Sequence, residues 1–240
     1  MRAGWVARPW AGLDLGAYSV KLLALQPGVG APRVAAAEAS YLPTVGENGP
    51  SSEAIAQTVA RCAEHLGLSL RSVRGITLGI SGPDVIVKQI QLPLMDEAEV
   101  GPALRFEARK HLPFDPQAMV IDFQVLGRYV SERRVEVLLA AVTREHLDRQ
   151  VALMDRLGIQ ADIVDAAPLA LANASLHCGG SDRGPRLLLD IGHLSSHLTL
   201  YQRGEPFFSR RFDFGGRHLT EAIAGQLQVP GEDGALHVAR

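Results

Sequence analysis

Asp14, Gly16, Ser19 and Lys21 fall within "GLDLGAYSVKLLAL" (12–25), and Asp190, Gly192, Ser195 and Ser196 within "LLLDIGHLSSHLTLY" (187–201). In both stretches an apolar run leads into Asp-(Leu/Ile)-Gly, a short bend holding Ser follows, and a second apolar run leaves it. A strand that turns tightly at a glycine can aim several successive backbone N–H groups at one point, and such a concavity binds phosphate oxygens. The glycine permits the close approach. Serine adds a hydroxyl donor, and lysine supplies a point charge for a terminal phosphate. An aspartate at the strand end suits a hydrated Mg²⁺, which keeps most of its waters and takes few protein ligands. The first stretch holds all of these residue types; the second has no lysine in its bend. One such bend is a turn between strands. Two predict a duplicated device that clamps a polyphosphate from two sides.

The elements that must position these bends are strands and helices in alternation. The chain has 240 residues, enough for one or two domains with a sizeable core. Strand-like runs are "AGLDLG", "SVKLLALQ", "RVAAAEASYL", "VRGITLGI" and "DVIVKQIQL", then "AMVIDFQVL", "RVEVLLAAV", "ADIVD", "RLLLDIG", "SHLTLYQ" and "PFFSRRFDF". "SSEAIAQTVARCAEHLG" starts on serine caps, sets Ile55, Val59, Cys62 and Leu66 on one face and stops at Gly67. "TREHLDRQVALMDRLG" repeats that logic from Thr143 to Gly158. "DAAPLALANASLH" and "GGRHLTEAIAGQL" are two further helices. In "DEAEVGPALRFEARKHL" Asp96 and Glu99 form a capping pair, but Pro102 requires either a kink or a later start near Gly101. Strands in threes followed by helices predict an α/β fold with a mixed sheet. The strand rhythm breaks at both edges of 84–161, which is expected to be a compact insert.

Composition narrows the function classes. Charged residues make up 21% and the net charge is -2, so no nucleic-acid partner is expected. Nearly all basic residues are arginine; Lys21, Lys88 and Lys110 are the exceptions, and Lys21 lies inside the first motif. Cys62 and Cys178 lie far apart without metal or redox spacing, which reads as reduced helix residues. There is no run of about 18 apolar residues, so no direct membrane span is expected. The opening "MRAGWVARPW" is either a frayed end or a short arm touching a partner or membrane surface. The eight His show no metal-ligand spacing, which leaves nucleotide-borne Mg²⁺ as the expected metal. Asp122 and Asp165 read as solvated or capping residues, His111 as a cation at a helix end, and Arg210–Arg211 as a water-facing pair.

The paired bends resemble the two phosphate loops of the actin and sugar-kinase superfamily. More narrowly, "ALRFEARKHLPFDPQAMVIDFQVLG", "VIVKQIQLP", "VLLAAVTREHLDRQVALMDRLGIQADIVDAAPLALANA" and "FDFGGRHLTEAIA" resemble the PilM family of type IV pilus assembly proteins. That resemblance runs from about Gly12 to at least Leu227. It implies an actin-like, ribonuclease H-like fold: residues 1–83 with 162–184 form the first subdomain, 84–161 a small α+β insert, and 185–240 the start of an incomplete second subdomain. It implies ATP with Mg²⁺, held through Asp14, Gly16, Ser19 and Lys21 in the first loop and Asp190, Gly192 and Ser195 in the second. Asp14 and Asp190 would meet the metal through water. Gly215 and Gly216 match the glycine pair opening a helix under the nucleotide. His197 matches the place where actin has a water-orienting His. Tyr18, His193 and Leu194 stand where small residues are usual.

The family's length implies a further third of chain beyond Arg240, so weak or absent ATP binding is expected for this length, and hydrolysis is left open. As for function, the resemblance implies a cytoplasmic adaptor that docks the tail of a PilN-like membrane protein and meets other inner-membrane pilus components through it. The alternatives are an FtsA-like cell-division protein and a sugar-kinase-type phosphotransferase, for which no general base stands out. The expected docking place is the cleft between first subdomain and insert, beside "EARKHLPF". Phe106, Leu112 and Phe114 either line that cleft or fill the insert's core.

Overall fold

A computed structural model describes residues 8–28, 31–43, 50–178, 184–202 and 204–227. Most of the amino-terminal arm thus lies outside the described residues; its last residue, Trp10, opens the first strand and packs its ring over Gly75.

Three apolar segments form an antiparallel meander, β1 (Trp10–Leu15), β2 (Ser19–Gln26) and β3 (Arg33–Tyr41). Helix α1 (Ser52–His65) begins at Ser51, whose Oγ accepts from the Ala54 N–H at 3.2 Å, and ends before Gly67 at φ +60°. The chain then returns beside β1 as β4 (Gly75–Ile80), parallel to it. β8 (Ile163–Ala166) adds in parallel outside β4, giving the strand order β3-β2-β1-β4-β8. That order is the ribonuclease H-like arrangement expected from the sequence. Leu13, Val20, Leu22 and Leu78 are at most 3% exposed and face α1 residues Val59 and Cys62 in one core.

Between β4 and β8 the chain builds a separate antiparallel sheet, β5-β7-β6, from β5 (Val85–Pro93), β6 (Met119–Tyr129) and β7 (Arg134–Thr143). Strand alternation gives it two buried faces. Ile90, Leu92, Val135, Val137 and Leu139 pack against Val100, Leu104 and Ala108 of and just after α2 (Glu97–Glu107). Val85, Val87, Leu138 and Val142 point the other way and join the first core. α2 starts after Asp96 and runs through Pro102, so the later start near Gly101 is not taken. The Glu99 carboxylate accepts from the Asp96 N–H at 3.0 Å, fixing that start.

Helix α3 (Arg144–Arg156) lies within the stretch expected to be the insert, yet Leu147, Met154, Leu157 and Ile159 of and after it pack into the first core. α2 fills one face of the insert sheet, and α3 joins the cluster on the other, where Val85, Val87, Leu138 and Val142 meet the first core. By packing, the insert's own core ends near Thr143.

α4 (Ala167–His177) leads from β8 to a second sheet of order β11-β10-β9, made of β9 (Arg186–Ile191), β10 (Ser196–Gln202) and β11 (Glu205–Phe212). The Ser175 hydroxyl of α4 bonds the buried Tyr201 hydroxyl of β10, tying this sheet to the first half. α5 (Gly216–Leu227) follows β11.

Candidate functional site

The two bends are built alike. In the β1–β2 bend the Gly16 N–H donates to Ser19 O at 3.1 Å; in the β9–β10 bend the Gly192 N–H donates to Ser195 O at 3.0 Å. A Cβ at Gly16 would sit 2.9 Å from Ser19 O, and one at Gly192 2.7 Å from Ser195 O. Only glycine tolerates that approach to a carbonyl oxygen, which explains the residue at both positions.

The bends also meet. The Tyr18 ring stacks on the His193 ring with centroids 4.6 Å apart and planes 20° apart. The two bends are thus in contact through two of the three residues that stand where small ones were expected, Tyr18 and His193.

Lys21 lies directly across the hairpin from Asp14, and its Nζ is 2.7 Å from Asp14 Oδ2. Both side chains are well exposed, at 58% and 39%, so the pair is weak and the lysine can turn to another anion. In the second hairpin the residue across from Asp190 is His197, the same seven positions on. The sequence offers no lysine in the second bend. Register places a titratable ring at the position Lys21 holds in the first hairpin.

His197 is 7% exposed and its Nε2 has no hydrogen-bond partner among the described residues. Burial lowers its pKa from the usual 6.5; Asp190 acts against that shift and Arg211 adds to it. Arg211, directly opposite on β11, likewise has an unpartnered buried Nε, while its Nη2 contacts Asp213. The arginine pair expected to face water is therefore split by strand alternation, with Arg210 outward and Arg211 beside His197. The folded protein favours the neutral His197 ring, so the unfolded chain takes up the proton first as pH falls. Its contribution to stability is full above about pH 6.5 and is lost as pH drops through the lower folded value. Urea unfolding between pH 7 and pH 5 checks this: stability should fall less steeply in His197→Gln than in the unsubstituted protein. Equal slopes would show that the ring is not held neutral.

A third carboxylate joins the site. Asp14 pairs in register with Gly79 of β4, and Gly79 with Asp165 of β8. Partners in neighbouring parallel strands point to one face, so Asp14 and Asp165 flank a residue without a side chain. Burial raises the Asp165 pKa from the carboxylate value, partly offset by the Ala166 N–H. The sequence offers Asp122 as the only companion weighed for Asp165, and nothing in it couples that pair, so both read as solvated or capping. The parallel crossover couples Asp165 to Asp14 instead.

Gly215 and Gly216 need a correction of role. The Gly216 N–H donates to Gly192 O at 2.8 Å and the Arg217 N–H to His193 O at 2.9 Å. The first amides of α5 are thus taken by the second bend rather than held ready for a ligand. The Gly215 N–H donates to His218 Nδ1 at 3.1 Å, which completes the cap. Ser196 is likewise structural: its buried hydroxyl donates to Phe214 O at 2.6 Å.

Asp14 and Asp165 thus share one sheet face and Asp190 lies on the other hairpin, and carboxylates are the ligand type that a hydrated Mg²⁺ takes. No group of three or more His, Cys, Asp or Glu that could hold a metal by itself occurs among the described residues.

The model of the family described as type IV pilus assembly protein PilM matches residues 12–237. Among solved structures, a chain of a PilM–PilN type IV pilus biogenesis complex aligns with TM-score 0.80 and 27% identity, over 95% of this chain and 68% of that one. The ethanolamine utilization protein EutJ from Carboxydothermus hydrogenoformans aligns with TM-score 0.55 and 15% identity, over 98% of this chain and 62% of that one. The cytoplasmic domain of EpsL, an inner-membrane component of the Vibrio cholerae type II secretion system, aligns with TM-score 0.56 and 12% identity, over 90% of this chain and 75% of that one. The last two likenesses concern the fold alone, which is actin-like.

Proposed function

This chain belongs to the PilM family of type IV pilus assembly proteins, and from that premise we propose that it is an actin-like adaptor that captures the cytoplasmic tail of a PilN-like membrane protein. The observation that carries the reading is the insert. Its sheet is fastened to the first core by one face, while β6 keeps an unpaired edge among the described residues. An extended peptide can add to such an edge through main-chain hydrogen bonds, with alternate side chains seated in pockets. Apolar groups lie exposed on the insert: Phe106 is 73% exposed and Phe114 40%, whereas Leu112 is buried with the insert's core. The two phenylalanines therefore do not fill that core. No helix among the described residues is long and apolar enough to cross a membrane. Capture of the tail would hold this chain at the inner membrane through its partner, beside the other pilus components.

The same reading gives the paired bends to ATP with Mg²⁺. Asp14 and Asp190 face the metal through water, and Lys21 with the amides of both bends faces the phosphates. It divides the chain into a first actin-like subdomain (to about 83, with 162–184), an insert from 84, and a second subdomain from 185.

A labelled PilN-type tail peptide titrated against the folded chain should bind saturably. Phe106→Ala should weaken that binding about tenfold while moving stability by no more than about 0.5 kcal/mol. A folded sample that shows no saturable binding overturns the adaptor reading. Loss of stability in Phe106→Ala would return this ring to the core.

A further inference from the structure

We propose that Tyr18 and His193 form a latch that holds the two bends together in the ligand-free protein and must part before a polyphosphate enters between them. Both rings sit on fixed mounts. The Tyr18 carbonyl accepts from the Leu42 N–H at 2.9 Å, which ties the first bend to the end of β3. On its other side the Tyr18 ring leans against Tyr41 at 5.1 Å with a 56° tilt. The His193 carbonyl accepts from the Arg217 N–H, and the neighbouring Gly192 carbonyl from the Gly216 N–H, which ties the second bend to α5. Neither loop is free to swing on its own. The stack is therefore a contact between two rigid halves, one carried by the first sheet and one by the second.

Its place gives it a consequence. A ligand held from both sides by the remaining amides of the two bends would enter between them, where the Tyr18 and His193 rings are in contact. Binding then requires the halves to separate, and the apparent affinity falls by the fraction of molecules that are open. An aromatic stack of this kind is strong enough to reduce affinity by about two- to tenfold and too weak to prevent binding.

The proposal rests on the nucleotide reading for its ligand but not for the latch itself, and one experiment separates them. Amide hydrogen exchange is measured without ligand on the unsubstituted chain, on Tyr18→Ser and on His193→Ala, and calorimetric titration with Mg·ATP follows on the same forms carried on to the family's full length. Tyr41→Ala is the control, because it touches the Tyr18 ring but not the second bend. Both latch variants should exchange faster at residues 16–20 and 192–196, and should bind Mg·ATP about two- to tenfold more tightly; the control should change only the first bend. Faster exchange in both bends with no Mg·ATP binding by any form would keep the latch and sink the nucleotide reading. Unchanged exchange in the second bend of Tyr18→Ser overturns the latch. Weaker Mg·ATP binding by Tyr18→Ser also overturns it, since the ring would then be a ligand contact.

Discussion

Gly215→Ala should detach α5 from the second bend, with the amides of Gly216 and Arg217 exchanging about a hundredfold faster than in the unsubstituted protein. A Cβ at this position would lie 2.5 Å from both Gly192 O and His193 O. These are backbone atoms, so no side-chain rotation relieves the clash. They are also the acceptors for the first two amides of α5. Moving them away breaks both bonds, and those donors have no partner within the helix. Two bonds at about 1 kcal/mol each, together with the clash, account for the expected factor. Gly225 supplies the contrast within the same helix. Nothing lies within 4 Å of a Cβ there, so Gly225→Ala should stabilise α5 by about 0.5–1 kcal/mol. Equal exchange at Gly216 and Arg217 in Gly215→Ala would mean that the bend and the helix are not joined as described.

The same glycine shows what a sequence can convey about such a site. The bends at Gly16 and Gly192 are legible because a strand, a glycine and a serine in fixed order are local, and local order follows from chain geometry. The capping pair at Asp96 and Glu99 was legible for the same reason, and so was the strand alternation behind the first sheet. The role of Gly215 was not, because its neighbours Gly192 and His193 are reached only once β10 and β11 have folded back. Asp165 is a parallel case: it meets the row of Asp14 and Gly79 through two parallel pairings, and parallel pairing leaves no mark at short range. His197 was legible in principle. Its distance from Asp190 equals that of Lys21 from Asp14, and the comparison of the two hairpins had only to be carried two residues further. The packing of α3 was hidden for another reason. Its amphipathic stripe states that one face is buried but not which of two adjacent cores receives it. Exposure of Phe106 is likewise a tertiary fact, since "RFEARKHLPF" satisfies a helical period with either Phe106 or its neighbours inward.

In the chain carried on to the family's full length, where ATP binding is expected, Lys21→Ala should weaken Mg·ATP binding by about ten- to a hundredfold, the range expected when a charged hydrogen bond to phosphate is removed. In the structure the Lys21 Nζ lies 2.7 Å from Asp14 Oδ2. That pair is too exposed to hold it, because surface ion pairs contribute about 0–1 kcal/mol. A phosphate therefore draws Lys21 away at little cost, and the charge left at Asp14 is then met by the hydrated metal. This exchange of partners predicts that the two residues behave differently when the metal is withdrawn. With Mg²⁺ present, Asp14→Ala and Lys21→Ala both weaken binding. In EDTA, Lys21→Ala still weakens the binding of metal-free ATP, whereas Asp14→Ala leaves it unchanged or tightens it, because a repelling carboxylate is gone and the lysine is released. Neither change should lower stability by more than about 1 kcal/mol, so unfolding does not mimic the result. Equal losses for Asp14→Ala with and without Mg²⁺ would show that the carboxylate does not serve the metal. No loss for Lys21→Ala in either condition would remove the phosphate from the first bend altogether.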